Sequence, residues 1–144
     1  MILICILKFS KNRNYVDDKP FILLGARMSD FKVHIRERAN NIHVLELKGY
    51  LDAHTTPTLE EAFQKMLNEK KFRIIVNCKE LSYISSAGLG VFMAFIEDVR
   101  AASGDIKLSD MSPKVFNIFD LLGFPMLYDI VKLEDDAANK FDAQ

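Results

Sequence analysis

The feature that most constrains the fold is a run of consecutive β-branched residues at 74–76. Ile74, Ile75 and Val76 follow one another without the polar residues that would alternate in a half-buried strand. A short run of this kind is typical of a central strand that is covered on both faces. The segment from Phe72 to Cys78 therefore predicts a layered α/β fold with helices packed on a sheet.

The segment before this run predicts an antiparallel hairpin. Phe31, Val33 and Ile35 alternate with polar residues, and residues 42–51 form a second apolar stretch. The pair Asn40-Asn41 between them tolerates positive φ and favours a tight turn. We expect a mixed sheet, with this hairpin antiparallel and the later strands parallel.

Three helices are predicted from capping signals and from apolar residues that recur on one face. The first has Thr56 as its N-cap and Pro57 at its first position, and the second runs from about Ala87 to Ala102 with Gly104 as its stop. The third begins at Ser112-Pro113 and ends at Gly123. The predicted order is β-β-α-β-α-β-α-β, with a last strand at 127–133 and a final helix as an option in the polar tail.

The chain is expected to form one domain at 29–144. Residues 1–28 show no sustained helical or strand period, and we interpret them as a loosely ordered N-terminal extension, with a docked arm or strand as the alternative. Their apolar start, Met1 to Leu7, is too short for a membrane helix and lacks the flanks of a signal peptide. We therefore expect a cytoplasmic protein that does not insert into membranes.

Charge and cysteine content exclude some classes of function. The 144 residues carry a net charge of −1, so no basic field favours nucleic acid, and a protein or small-molecule partner is expected. Cys5 and Cys78 are far apart in sequence, which gives no metal-binding pair, and Cys78 is interpreted as a buried thiol in a reducing compartment.

Two adjacent serines mark the start of the second predicted helix. Ser85 and Ser86 lie within the stretch 81–92, interpreted as a loop that leads from a buried strand into the helix. Either serine could be an N-cap, or one could be a working residue. Free N–H groups at a helix start also favour an anion at this place.

Catalysis by these serines is not favoured by the sequence. The nucleophile elbow Gly-x-Ser-x-Gly fails because Ile84 stands at the first glycine position. Of the three histidines, His34 and His43 are interpreted as surface residues of the hairpin, and His54 also precedes the serines. No phosphate-binding glycine loop is present, so no cofactor, metal or catalytic residue is predicted.

A helical wheel separates two faces of the second helix. The inward face is predicted to contain Leu89, Phe92, Met93, Ile96 and Val99. The solvent face is predicted to contain Ala87, Gly90, Val91 and Ala94. The exposed face beside the serines would then be smooth and uncharged, which suits close approach of a partner. A phosphate at its edge would add about −1.5 to −2 charges and disrupt such a contact.

These segments resemble a known family, the STAS domain, and more narrowly the bacterial anti-sigma factor antagonists. The resemblance runs from about Phe31 to Leu133. Three motifs carry it: Leu47-Lys48-Gly49-Tyr50-Leu51-Asp52, Thr55-Thr56-Pro57, and Leu81 to Val91 with its Ser85-Ser86-Ala87-Gly88 core. Many members have Asp-Ser-Ser-Gly at that core, so Ser85 replaces an acidic residue here.

The resemblance implies a switch rather than an enzyme. In this family a serine at the start of the second helix is phosphorylated by an anti-sigma factor of the serine kinase type, and the phosphate ends their binding. Matched by position, the phosphoacceptor is Ser86. The expected partner surface comprises Asp52, Ser85, Gly88, Val91 and Ala94. We expect a monomer or weak dimer.

Two rival functions stay open at this point. STAS domains also serve as subunits of lipid-transport ABC complexes, in which the serine need not be phosphorylated. A serine hydrolase is the rival from another class of protein.

Overall fold

A five-stranded mixed sheet organises residues 30–143, the part of the chain that the computed structural model describes. In chain order its strands are β1 (Lys32–Arg38), β2 (Ile42–Leu51), β3 (Arg73–Ile84), β4 (Asp105–Ser109) and β5 (Ile130–Val131). The strands lie side by side in this same order. β1 pairs antiparallel with β2, and the other neighbours are parallel, so the predicted mixed α/β sheet is confirmed.

Four α-helices connect or follow the strands, in the order that was predicted. They are α1 (Thr56–Asn68), α2 (Ser86–Ala101), α3 (Pro113–Leu121) and α4 (Glu134–Asp142), with short 3-10 turns at Ala39–Asn41 and Phe124–Met126. α1, α2 and α3 bury their apolar residues against one face of the sheet. The optional final helix is present, and it packs on the other face through Ala137, Ala138 and Phe141.

The β-branched run in β3 is divided between these two faces. Ile74 and Val76 belong to the core under α1–α3, whereas Ile75 packs with α4, and all three are fully buried. Successive side chains of a strand point to opposite faces, so consecutive apolar residues are expected where a strand is covered on both sides. The predicted central strand, covered on both faces at 74–76, is confirmed.

Aromatic rings fill the core between the helices of the first face. Phe92 of α2 is fully buried, and its ring lies 5.8 Å from that of Phe63 in α1, 5.7 Å from Phe119 in α3 and 6.2 Å from Tyr128. All three contacts are edge-to-face, a favoured arrangement of aromatic pairs. Phe92 thereby fixes α2 relative to both neighbouring helices.

Hydrogen bonds to one carboxylate attach α4 to the opposite face. Glu134, the first residue of α4, accepts bonds from Arg36 (2.6 Å), Arg38 (2.7 Å) and Asn77 (2.8 Å). Burial alone would raise the pKa of Glu134, but these three donors outweigh it and hold the pKa below its usual value. α4 covers the part of this face formed by Ile42, Val44, Ile75 and Val131.

The hairpin confirms one prediction and contradicts another. Asn40 and Asn41 have φ of 64° and 62°, as the turn required. The interpretation of His43 as a surface residue is wrong, because its exposed fraction is 1%. Near His43, β2 lies between β1 and β3 and is covered on both faces, with Leu45 in the core under α1–α3 and Val44 under α4, so alternation does not place a side chain in solvent there. His34, on the edge strand β1, is exposed as expected.

Three element boundaries differ from the predictions. α1 begins at Thr56, so the N-cap position belongs to Thr55 and not to Thr56. β3 continues to Ile84, so residues 81–84 are strand and not loop. The last strand has only two residues instead of seven: the hydroxyl of Tyr128 donates to the Phe92 carbonyl, and Arg100 donates to the Leu127 carbonyl. These bonds hold residues 127–128 against α2 and away from β4.

Gly104 has a different role from the predicted helix stop. α2 ends at Ala101, and the residue with positive φ beyond it is Ser103, at 66°. A Cβ on Gly104 would lie 2.1 Å from the carbonyl oxygen of Phe72. The glycine therefore allows the chain to pass close to the start of β3.

Residues 1–28, including Cys5, lie outside the described residues, so the predicted extension stays a prediction. Within residues 30–143, no helix is long and apolar enough to cross a membrane. Cys78 is fully buried, as expected, and burial raises the pKa of its thiol to about 12.

Candidate functional site

The two serines lie at the edge of the sheet where the parallel strands end. β2 ends at Leu51 and β3 at Ile84, so the segments that follow these strands meet at one edge. The backbone N–H of Ser85 donates to the carbonyl of Leu51 at 2.9 Å. In open α/β sheets, the carboxyl ends of the parallel strands are the usual place for a binding site.

Ser85 and Ser86 have different structural roles. Ser85 is the N-cap of α2, with φ −95° and ψ 173°, and its Oγ accepts the N–H of Gly88 at 3.3 Å. It is half-buried. Ser86 is the first helical residue and is exposed, so its hydroxyl projects from the positive end of the helix dipole. One serine holds the helix start, and the next is accessible to another protein.

The loop after β2 is fixed by its own side chains. Oδ1 of Asp52 accepts the N–H groups of His54 (2.9 Å) and Thr55 (3.2 Å). The buried hydroxyl of Thr55 donates to the carbonyl of Tyr50 and accepts the N–H of Asp52, each at 2.9 Å. The Asp52 side chain remains 35% exposed, so this carboxylate is available beside the start of α2.

Gly88 allows α2 to approach the ends of both strands. A Cβ at this position would lie 2.8 Å from Cγ of Leu51 and 2.9 Å from Cγ1 of Ile84. Gly88 is itself buried. It was predicted to contact a partner, but its surroundings give it a positioning role for the exposed residues on either side.

The predicted faces of α2 are partly wrong. Val91, expected in solvent, is only 4% exposed, and Met93, expected in the core, is 51% exposed. The buried arc of α2 is centred on Phe92 and extends past Gly88, because α1 and α3 both pack against the helix. The helical wheel relied on large side chains and overlooked Gly88, which faces inward. This glycine was the sequence signal that could have predicted a buried surface on that side of α2.

The exposed strip of α2 therefore consists of Ser86, Ala87, Gly90, Met93 and Ala94. Ala87, Gly90 and Ala94 are as predicted, Met93 is added, and Val91 is removed. None of the five side chains carries a charge. The first charged residue on the exposed side of the helix is Glu97.

No histidine within residues 30–143 hydrogen-bonds to either serine. Nδ1 of His34 lies 3.2 Å from Glu46, and Nε2 of His43 lies 3.1 Å from Glu37. His54 is exposed, with its Nδ1 4.0 Å from Asp52. The described residues thus place no histidine base on Ser85 or Ser86, and none of their His, Cys, Asp and Glu side chains form a group of three suited to a metal ion.

Two curated relatives are named as anti-sigma-B factor antagonists. The one from Bacillus subtilis (strain 168) is 30% identical over 101 residues, which is 70% of this chain and 91% of the relative. The one from Listeria monocytogenes serovar 1/2a is 25% identical over 107 residues, which is 74% of this chain and 94% of the relative. This chain thus matches nearly the whole of each relative.

Solved structures share the fold. A crystal structure of an anti-sigma factor antagonist from Mycobacterium paratuberculosis superposes with a TM-score of 0.72 at 18% identity, covering 78% of this chain and 94% of the other. The antagonist SpoIIAA in its unphosphorylated form gives 0.67 at 21% identity, covering 78% and 97%. The phosphorylated form of the Bacillus SpoIIAA gives 0.61 at 21% identity, covering 76% and 98%.

A family model covers most of the domain. The model of the STAS domain matches residues 34–137, from β1 into α4. The matched range includes both serines and the segments that position them. The chain belongs to the STAS domain family.

Proposed function

We propose that this chain is an anti-sigma factor antagonist that acts by partner switching. In its unphosphorylated form it binds an anti-sigma factor of the serine kinase type, and phosphorylation of Ser86 ends the binding. The names of its relatives support this regulatory function. In this proposal the chain is a binding protein and the substrate of a kinase, not itself an enzyme.

The observation that carries the proposal is the separation of roles between the two serines. Ser85 caps α2, so a phosphate on Ser86 would leave the capping bond to Gly88 in place. Ser86 is exposed at the first position of the helix, where the dipole favours negative charge. The modified monomer should therefore remain folded while its surface changes.

The uncharged strip explains why a phosphate would matter for binding. A partner that packs closely on Ala87, Gly90 and Ala94 would dehydrate the region beside Ser86. A phosphate of about −1.5 to −2 charges at that edge would then lose water without gaining an opposite charge. Met93, half-exposed on the same strip, adds an adaptable apolar contact.

Asp52 is proposed as the polar contact of this surface. Its carboxylate has an exposed side, and its loop is fixed by hydrogen bonds to His54 and Thr55. A cationic side chain of the partner is the matching group. Gly88 and Ser85 act through the position of α2, and the buried Val91 is left out of the proposed surface.

The test uses the full chain and the serine-kinase-type anti-sigma factor from the same genome. After incubation with ATP and Mg²⁺, mass spectrometry should locate one phosphate on Ser86. Calorimetry should show binding by the wild type and by Ser86→Ala, with binding by Ser86→Asp at least about tenfold weaker.

Ser103→Asp is the matched control, because it places the same charge on an exposed residue just past the far end of α2. It should bind as the wild type does. Phosphate on another residue, or equal affinity of Ser86→Ala and Ser86→Asp, would contradict the switch. Labelling of Ser86 by a reactive-serine probe would favour the hydrolase instead, and association with a permease would favour the transport subunit.

A further inference from the structure

The half of the sheet face that α4 leaves uncovered forms a cleft of its own. This open face is defined by Lys32, Lys48, Lys79, Tyr50 and Tyr83, and no helix of residues 30–143 packs on it. The cleft has a volume of about 320 Å³. It lies on the side of the sheet opposite α1–α3, because Leu47 and Leu51 point into that core while Lys48 and Tyr50 alternate with them.

Two lysines of the cleft form a pair of like charges in direct cross-strand register. Lys32 of β1 and Lys48 of β2 are directly opposite each other in the antiparallel register. Like charges at opposed positions of a β-ladder destabilise the pair. Lys79 of β3 lines the same cleft, and none of the three ammonium groups has an ion-pair partner among residues 30–143.

The acidic side chains nearby only partly balance these charges. Glu46 is already engaged by the guanidinium of Arg36, with His34 Nδ1 3.2 Å away, and the bond from Arg36 is the main reason that the pKa of Glu46 is lowered. Glu80 lines the cleft without such a bond and lies directly opposite Lys48 in the register of β2 and β3. The cleft thus has an excess of positive charge in a chain whose net charge is −1.

Two tyrosines connect this cleft to the edge of the sheet where Ser86 lies. Tyr50 and Tyr83 are paired across β2 and β3, with ring centroids 6.0 Å apart and exposed fractions of 48% and 38%. Each immediately precedes a segment of the edge where Ser86 lies, since Leu51-Asp52 follows the first and Ile84-Ser85 follows the second. The tyrosine pair is therefore adjacent in sequence to both segments of that edge.

We propose that the open face binds an acidic segment of the same anti-sigma factor that contacts the Ser86 edge. The charge of the three lysines selects carboxylates, and the tyrosine pair provides an aromatic contact between the two surfaces. This inference rests on the proposed function and adds to it a second surface, which phosphorylation of Ser86 does not touch. The open face then contributes affinity, and the Ser86 edge supplies the switch.

The experiment measures binding of the full chain to the same anti-sigma factor by calorimetry, at low and at high salt. The charge-reversing double variant Lys48→Glu/Lys79→Glu should bind at least about tenfold more weakly than the wild type at low salt, and the difference should shrink at high salt. Both side chains are exposed, so the fold should persist, and thermal unfolding monitored by circular dichroism checks this. Lys70→Glu/Lys114→Glu, on exposed lysines outside the cleft, is the matched control and should bind normally.

The outcomes separate the two proposals. A wild type that does not bind the anti-sigma factor contradicts the proposed function, and this inference with it. A wild type that binds, together with a double variant of equal affinity, overturns the open-face inference alone. Equal affinity combined with altered self-association in sedimentation would assign the face to a second copy of the chain. Phosphorylation of Ser86 in the double variant at saturating kinase is expected to proceed, since the acceptor is unchanged.

Discussion

α2 and α3 begin with the same kind of N-cap and differ in the residue that follows it. Each follows a parallel strand and starts with a serine N-cap: Ser85 accepts the N–H of Gly88 at 3.3 Å, and Ser112 accepts that of Val115 at 3.2 Å. The next residue is the exposed Ser86 in α2, whereas it is proline in α3. A serine cap is therefore a general way to start a helix here, and it is not by itself a mark of function.

The first turns of the two helices also differ in charge. After the cap, α2 exposes Ala87 and Gly90, whereas α3 exposes Lys114 and Asn117. A strip without charge can be dehydrated by a partner at low cost, and a lysine cannot. The comparison indicates that the proposed switch needs three things together: a cap, an accessible hydroxyl after it, and an uncharged strip beside it.

The largest expected effect concerns which hydroxyl is phosphorylated. Ser86→Ala should lose essentially all phosphate when incubated with the kinase and ATP. Pro113→Ser gives α3 the same serine pair as α2 but not the uncharged strip, so that position should remain unmodified. Mass spectrometry of both variants provides the measurement. Phosphate on the new serine would mean that a capped helix start with a hydroxyl is sufficient.

The second effect concerns the glycines of α2. Gly88→Ala should lower the free energy of unfolding by about 1–3 kcal/mol, because its Cβ would overlap Leu51 and Ile84. Gly90→Ala should raise it by about 0.5–1 kcal/mol, because no atom beyond the adjacent helix backbone and chain neighbours lies within 4 Å of the added Cβ and alanine favours helix. Urea denaturation measures both. Equal changes in the free energy of unfolding for the two variants would show that α2 does not need its close approach to Leu51 and Ile84 at Gly88.

The two capping serines should each make a smaller contribution to the free energy of unfolding. Ser85→Ala and Ser112→Ala should each lower the free energy of unfolding by about 1 kcal/mol, since each removes one capping bond. Neither should move the phosphorylation site. A loss of phosphorylation in Ser85→Ala with an unchanged fold would give Ser85 a direct role in partner recognition, contrary to the comparison.

The smallest effect separates the switch from unfolding. Ser86→Asp should raise the stability of the monomer by about 0.3–1 kcal/mol, because it places negative charge at the start of α2. The gain should largely disappear in 1 M salt. Thermal unfolding of the variant and the wild type at two salt concentrations tests this. A destabilised variant would mean that its weakened binding reports damage to the helix.

The order of the elements could be predicted from sequence because each rests on local chemistry. The run at 74–76 required a strand covered on both faces, and Asn40-Asn41 required a turn, and both are found. The helix starts near Thr55 and Ser112 followed from capping residues and prolines. Family membership was also accessible, because the motif around Ser86 lies between a recognisable strand and helix.

What sequence could not supply was which neighbours cover a given side chain. His43 is polar and alternates with apolar residues, yet it is buried because β2 became a central strand. The predicted exposures of Val91 and Met93 were reversed, because the packing of α1 and α3 determines which side chains of α2 are buried. The two-residue β5 depends on bonds from Tyr128 and Arg100 that join distant segments. These are tertiary contacts, and the local hydrophobic period of the sequence does not predict them.

The bond between Ser85 and Leu51 has a consequence for the speed of signalling. Because this bond and those of Thr55 fix the edge before any partner arrives, the proposed binding surface is preformed. Association then needs no prior folding step and can proceed at the ordinary rate of protein docking. The time that such a switch takes to respond would be set by dissociation and by the turnover of the phosphate, rather than by rearrangement of the chain.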